Sequence, residues 1–268
     1  MVEFRMMILI LTHDAFIYSI VSLLLISLSS SNISNYFFSR FLKNSSINTI
    51  TIYACVQVAL VVWWMIVIDI GQLFSGSFLQ EILALPVGIA LGLLYIFLEK
   101  WCIKRYVRQA SPSRETKRSP ATISRIYSYK LIGKKDGAES LVRNDNTSYI
   151  KVLQSCSFIA LLIIAVCEEI IFRGFLVNIA LHTSSYISMW GLFMIFAFFF
   201  GLSHIFVGWM QVGLKMVFGI LALGSYLFTG TIIAPILMHI LLNSFAYREI
   251  KRSRALRSVN VVFNSNRF

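Results

Sequence analysis

Long apolar runs separated by short polar breaks dominate the chain, and their lengths decide the reading more than any periodicity does. A helix of about 20 apolar residues crosses a bilayer, whereas a buried strand or core helix is usually shorter. Seven runs are long enough to qualify: Met6 to Leu28, Thr49 to Ile70, Phe78 to Leu98, Val152 to Leu181, Tyr186 to Gly208, Met210 to Thr229 and Thr231 to Tyr247. The first follows a leader with one Arg and one Glu and precedes no clear small-x-small cleavage site, which favours a retained helix over a cleaved signal. In the third, Gly88 and Gly92 make a GxxxG spacing that suits close helix packing. The expected fold class is all-α, a polytopic membrane protein of about seven transmembrane helices. Its expected parts are three helices in 1–99, a basic connector in 100–151, a four-helix core in 152–247 and a basic tail in 248–268, too short and polar to span again.

Composition agrees. Of 268 residues, 57% are apolar and 13% charged, beyond the roughly 45 to 50% apolar content of soluble domains. That excludes an ordinary soluble globule, and so few charges exclude a disordered chain. The net charge of +12 is unevenly spread: 13 of the 24 cations lie between Lys100 and Lys151, and five more between Arg248 and Arg257. Lys and Arg beside apolar spans stay in the cytoplasm, so the charge reads as topology. With the connector inside, alternation brings Arg40, Lys43, Lys215 and the C-terminal tail inside too, and the outer loops contain no Lys or Arg. The N-terminus is expected outside and the C-terminus inside. Anionic lipid headgroups are the expected partners of the basic segments; no nucleic-acid-binding module is recognisable. Cys55, Cys102, Cys156 and Cys167 have no paired spacing, so neither a disulfide framework nor a metal knuckle is expected. No repeat of fixed period supports an inverted-repeat transporter.

Ionisable residues inside spans are costly and mark candidate sites. The fourth span carries Glu168, Glu169 and Arg173. Glu169 and Arg173 stand at i and i+4, suited to an ion pair, while Glu168 is rotated about 100 degrees away and left over. A purely structural clamp of both acids on the guanidinium is the bland alternative. The fifth span ends in Phe200 through His204, and the seventh puts His239 and Asn243 on one face, a turn apart. Counting a rise of about 1.5 Å per residue, His204, His239 and Asn243 fall roughly 6 to 12 Å from the cytoplasmic ends of their spans. Glu168 reaches about 16 Å if its span starts near Ser157. All four can meet in the cytoplasmic half.

Glu168-Glu169-x-x-x-Arg173, Phe200-x-x-x-His204 and His239-x-x-x-Asn243, in this order on successive apolar helices, resemble the three motifs of the CAAX-protease and bacteriocin-processing (CPBP, or Abi) intramembrane endopeptidases. The runs Glu-Glu-Ile-Ile-Phe-Arg-Gly-Phe and Thr231-Ile-Ile-Ala-Pro-Ile-Leu-Met-His239 look like the bacterial members, and a bacterial plasma membrane is the localisation they imply. The resemblance covers about Val152 to Tyr247. Some relatives have an eighth helix, which Arg248 to Phe268 is not expected to supply.

The resemblance implies hydrolysis of a membrane-embedded or lipidated peptide or protein. Glu168 would be the general base and His204 would help position the water, while His239 and Asn243 would donate to the oxyanion. Glu169, Arg173 and Phe200 would be supporting residues. No cofactor is favoured. Zinc on Glu168, His204 and His239 is the alternative, although no HExxH helix is present and Asn243 is a poor zinc ligand. A Cys167 nucleophile is disfavoured by its apolar surroundings. Outside this class, the competing readings are a transporter, a non-catalytic membrane scaffold and a bacteriocin-immunity protein.

Overall fold

The computed structural model describes residues 49–67, 76–109, 157–181, 185–205 and 209–265. Among them every regular element is helical: α1 (Thr49–Val67), α2 (Phe78–Gln109), α3 (Phe158–Glu169), a π-helical turn (Ile170–Phe175), α4 (Leu176–Leu181), α5 (Tyr186–Leu202), α6 (Trp209–Thr229) and α7 (Ile233–Ser265). The expected first span, Met6 to Leu28, and most of the basic connector lie outside the described residues. Helix is the form these runs must take, because an apolar medium offers the backbone no other partner than itself. Two helical stretches are long and apolar enough to cross a membrane, Phe78–Tyr106 and Trp209–Thr229, and Ile50–Met65 and Tyr186–Leu202 are shorter apolar stretches.

The helices differ from the expected spans at several places, and α5 ends at Leu202, short of the expected Gly208. α2 continues past Leu98 to Gln109, and α7 continues past Tyr247 to Ser265. Once an apolar stem has nucleated a helix, the Lys, Arg and Glu residues that follow are good helix formers and extend it cheaply. α3 begins at Phe158, with Ser157 in extended backbone at its N-cap, later than the expected Val152. The fourth span is also not one regular helix, because the π-helical turn follows Glu169 before α4 resumes.

α2 and α7 run in the same direction, pressed together at the GxxxG. A Cβ on Gly88 would stand 2.7 Å from the Ala234 carbonyl oxygen, and one on Gly92 would stand 3.0 Å from Leu241 Cδ1. Further along, the Lys100 ammonium lies 3.9 Å from the centre of the Phe245 ring. Small residues at such crossings let backbones approach where no hydrophobic force separates helix from lipid. α6 turns back into α7 at Gly230, whose φ of +69° favours a residue without a Cβ.

α3 packs between α1 and α7, and α5 packs along α6. The centre is aromatic: Tyr95, Phe175, Phe193, Phe200 and Phe218 are all fully buried. Outward-facing positions are apolar as well, including Trp63, Phe97, Ile187 and Phe228. An apolar exterior around a core that holds the charged groups is the arrangement expected of a helical protein in lipid.

Candidate active site

The two acids stand at the last positions of α3, where the helix widens. Leu176 N–H bonds to the Ile171 carbonyl, an i to i+5 closure, and such π turns recur at functional sites. Glu168, Glu169, Arg173 and His239 are only 4%, 0%, 2% and 2% exposed. Charges removed from solvent to this degree need partners, and here they are one another.

Glu169 is the hub. Arg173 Nη1 lies 3.2 Å from its Oε1 and 3.1 Å from its Oε2, the expected i,i+4 pair. His239 Nδ1, from α7, lies 2.7 Å from the same Oε1. A carboxylate only accepts, so His239 Nδ1–H donates. Arg173 also donates through Nη2 to the Gly219 carbonyl at 3.3 Å and stands 4.3 Å from the centre of the Phe200 ring. One guanidinium therefore ties the π turn to α5 and α6.

Glu168 points to a different quarter, as its rotation relative to Glu169 requires. Tyr53 O–H, from α1, donates to its Oε1 at 2.8 Å, and its Oε2 lies 3.7 Å from His239 Nε2. The imidazole thus stands between the two carboxylates, one nitrogen toward each. Its ring is walled by Phe218 at 5.1 Å and Phe200 at 6.0 Å, both edge-on, and these two phenyl rings stack at 5.8 Å.

His204 and Asn243 have partners outside the Glu168–His239–Glu169–Arg173 chain. His204 Nδ1 lies 3.1 Å from the Phe200 carbonyl and 3.0 Å from Ser203 Oγ, at the end of α5. Asn243 Nδ2 donates to the Leu161 carbonyl at 3.0 Å, fastening α7 to α3. Glu168 and His239 are therefore brought together directly, Glu169 and Arg173 support them, and Phe200 forms a wall. Among the described residues no three His, Cys, Asp or Glu side chains group as they would around a metal ion. The set Glu168, His204 and His239 thus does not form a three-ligand cluster in this geometry.

Sequence reasoning passed over Tyr53 and Lys215. Tyr53 is an ordinary tyrosine in an apolar run, 115 residues from the acid it contacts, and no spacing pattern links them. Lys215 stood out only as a topology marker. It is half-buried, 5.7 Å from the Phe218 ring centre.

A family model, Type II CAAX prenyl endopeptidase Rce1-like, matches residues 153–245. Over about a third of the chain, this segment is similar to the Rce1-like CAAX protease family. No curated protein and no solved structure matches the chain. The domain runs from just before α3 into α7 and contains Glu168, Glu169, Arg173, Phe200, His204, His239 and Asn243. α1 and α2, with Tyr53, lie outside it. The membrane association of the family agrees with the two helices long enough to span.

Proposed function

We propose that the protein is an intramembrane endopeptidase in which Glu168 activates water for attack on a peptide bond of a membrane-embedded or lipidated substrate. The observation that carries this reading is the buried chain from Arg173 through Glu169 and His239 to Glu168. Glu168 Oε2 and His239 Nε2 are 3.7 Å apart, too far for a direct hydrogen bond. A water about 2.8 Å from both atoms closes a triangle on that base. Glu168 takes one proton from this water as its oxygen bonds to the scissile carbonyl carbon, and then delivers the proton to the leaving amine.

His239 has the character of an electrophile. With Nδ1–H held by Glu169, Nε2 faces the reacting centre, and an Nε2–H there donates to the developing oxyanion. Arg173 offsets the second acid, so that two adjacent carboxylates coexist without repelling the base out of position. His204, when its Nδ1–H donates to the Phe200 carbonyl, turns an Nε2 lone pair outward and helps position the water. Asn243 joins the oxyanion site if substrate draws its amide away from Leu161. In this reading the steps use side chains alone.

The topology proposed with this site has about seven spans, with the catalytic groups in the cytoplasmic half of a bacterial plasma membrane. The deciding experiment uses purified protein in bilayer nanodiscs and a transmembrane peptide reporter. Glu168→Gln is expected to lower kcat by roughly 10²- to 10⁴-fold with normal insertion and melting. Wild-type cleavage by this variant overturns the reading. Prolonged chelation is expected to leave the wild-type rate within about twofold; stoichiometric zinc whose removal abolishes cleavage would replace the water-activating role of Glu168 by that of the ion.

A further inference from the structure

We infer that α1 completes the catalytic site from outside the 153–245 domain, with Tyr53 as the positioning residue that fixes Glu168. The inference rests on Glu168 being the base. A carboxylate has two oxygens and a rotatable terminal torsion, so a base with one oxygen unheld presents its lone pairs in several directions. Tyr53 O–H holds Oε1 at 2.8 Å, and this leaves Oε2 as the oxygen turned toward His239.

The hydroxyl is itself held in place at two points along α1. Beside Tyr53, Ala54 packs with Ala160 and Ile164 of α3, all buried, and the small side chains allow the two helices to approach closely. At the far end of α1, the Trp64 ring stands 6.1 Å from Phe175 in the π turn. α1 is therefore fastened to the same segment that carries the acids, on both sides of them. The N-terminal part of the chain then contributes to the chemistry, in addition to anchoring the domain.

Full-length protein in nanodiscs provides the test, with Tyr53→Phe measured beside wild type and Glu168→Gln. Loss of a hydrogen bond to a charged group is expected to lower kcat about 10- to 100-fold. KM should stay within twofold and the variant should remain folded, because the ring and its packing remain, with a melting temperature lowered by a few degrees as Glu168 Oε1 loses its donor. A Tyr53→Phe enzyme within twofold of wild type in kcat overturns the inference while leaving the protease reading intact. If Glu168→Gln is as active as wild type, the assignment of Glu168 as the base fails instead, and the inference falls with it. Should Tyr53→Phe not fold, 3-fluorotyrosine placed at position 53 decides. Its ¹⁹F resonance is expected to move when Glu168 is replaced by Gln, and an unmoved resonance overturns the contact.

Discussion

Each acid in the Glu168-Glu169 pair acquires its character from its neighbours. Glu169 accepts from both Arg173 and His239 with no exposed surface, so it is a fixed anion around which the site is organised. Glu168 shares only one oxygen with a donor at hydrogen-bond distance and keeps the other beside an imidazole. Removing one partner of a buried ion pair strands the other and typically costs about 3 to 5 kcal/mol. Arg173→Ala is therefore expected to lower the melting temperature strongly and to abolish cleavage, since His239 loses its fixed acceptor as well. Arg173→Lys restores the charge but not the reach to both Glu169 and Gly219, and is expected to recover only part of the stability. Thermal melting in nanodiscs checks both; an Arg173→Ala protein that melts like wild type contradicts this account. The Glu169–Arg173 pair was legible in the sequence because i,i+4 geometry is local. That His239 bridges the two acids was not, because it depends on the crossing of α3 and α7.

At the scale of helices, the places of the apolar stretches were readable, whereas their ends and local departures from α geometry were not. A rise of about 1.5 Å per residue assumes a uniform α-helix, and the π turn at Ile170–Phe175 breaks that assumption immediately after the acids. The helical count from Ser157 to Glu168 is unaffected, because the turn lies beyond Glu168 and α3 starts at Phe158. The GxxxG was legible because small residues at that spacing have one common use in apolar helices. Its partner was not, since Ala234 and Leu241 carry no complementary signature. A methyl group separates these effects. Gly88→Ala forces a Cβ to within 2.7 Å of the Ala234 carbonyl oxygen, so α2 and α7 must separate, at an expected cost of about 1 to 3 kcal/mol. Gly224→Ala meets nothing within 4 Å and is expected to be neutral or to stabilise by up to about 1 kcal/mol through helix propensity. Equal melting temperatures for the two variants would mean that the α2–α7 contact contributes nothing.

For the whole molecule, the packing fixes the relative direction of two helices, which the charge-based topology also requires. Gly88 meets Ala234, Gly92 meets Met238, and Lys100 lies over Phe245, so residue numbers rise together along α2 and α7. Parallel helices enter the bilayer from the same side, which is what alternation requires of the third and seventh of seven spans. Both then end in basic extensions, Lys100, Lys104 and Arg105 on one and Arg248, Lys251 and Arg252 on the other. With both cationic ends on one face, the positive-inside rule acts on them together, because reversing one reverses both and carries most of the cations across. Single cysteines in a cysteine-free background test this in intact cells with a membrane-impermeant thiol reagent. Ser77→Cys, before α2, is expected to label without permeabilisation, whereas Ser119→Cys in the connector and Arg252→Cys on α7 should label only after it. Labelling of Ser77→Cys and Arg252→Cys from the same side would show that the chain crosses an even number of times between them. The shared direction of α2 and α7 could not survive that result, and the cytoplasmic placement of the acids would fall with it.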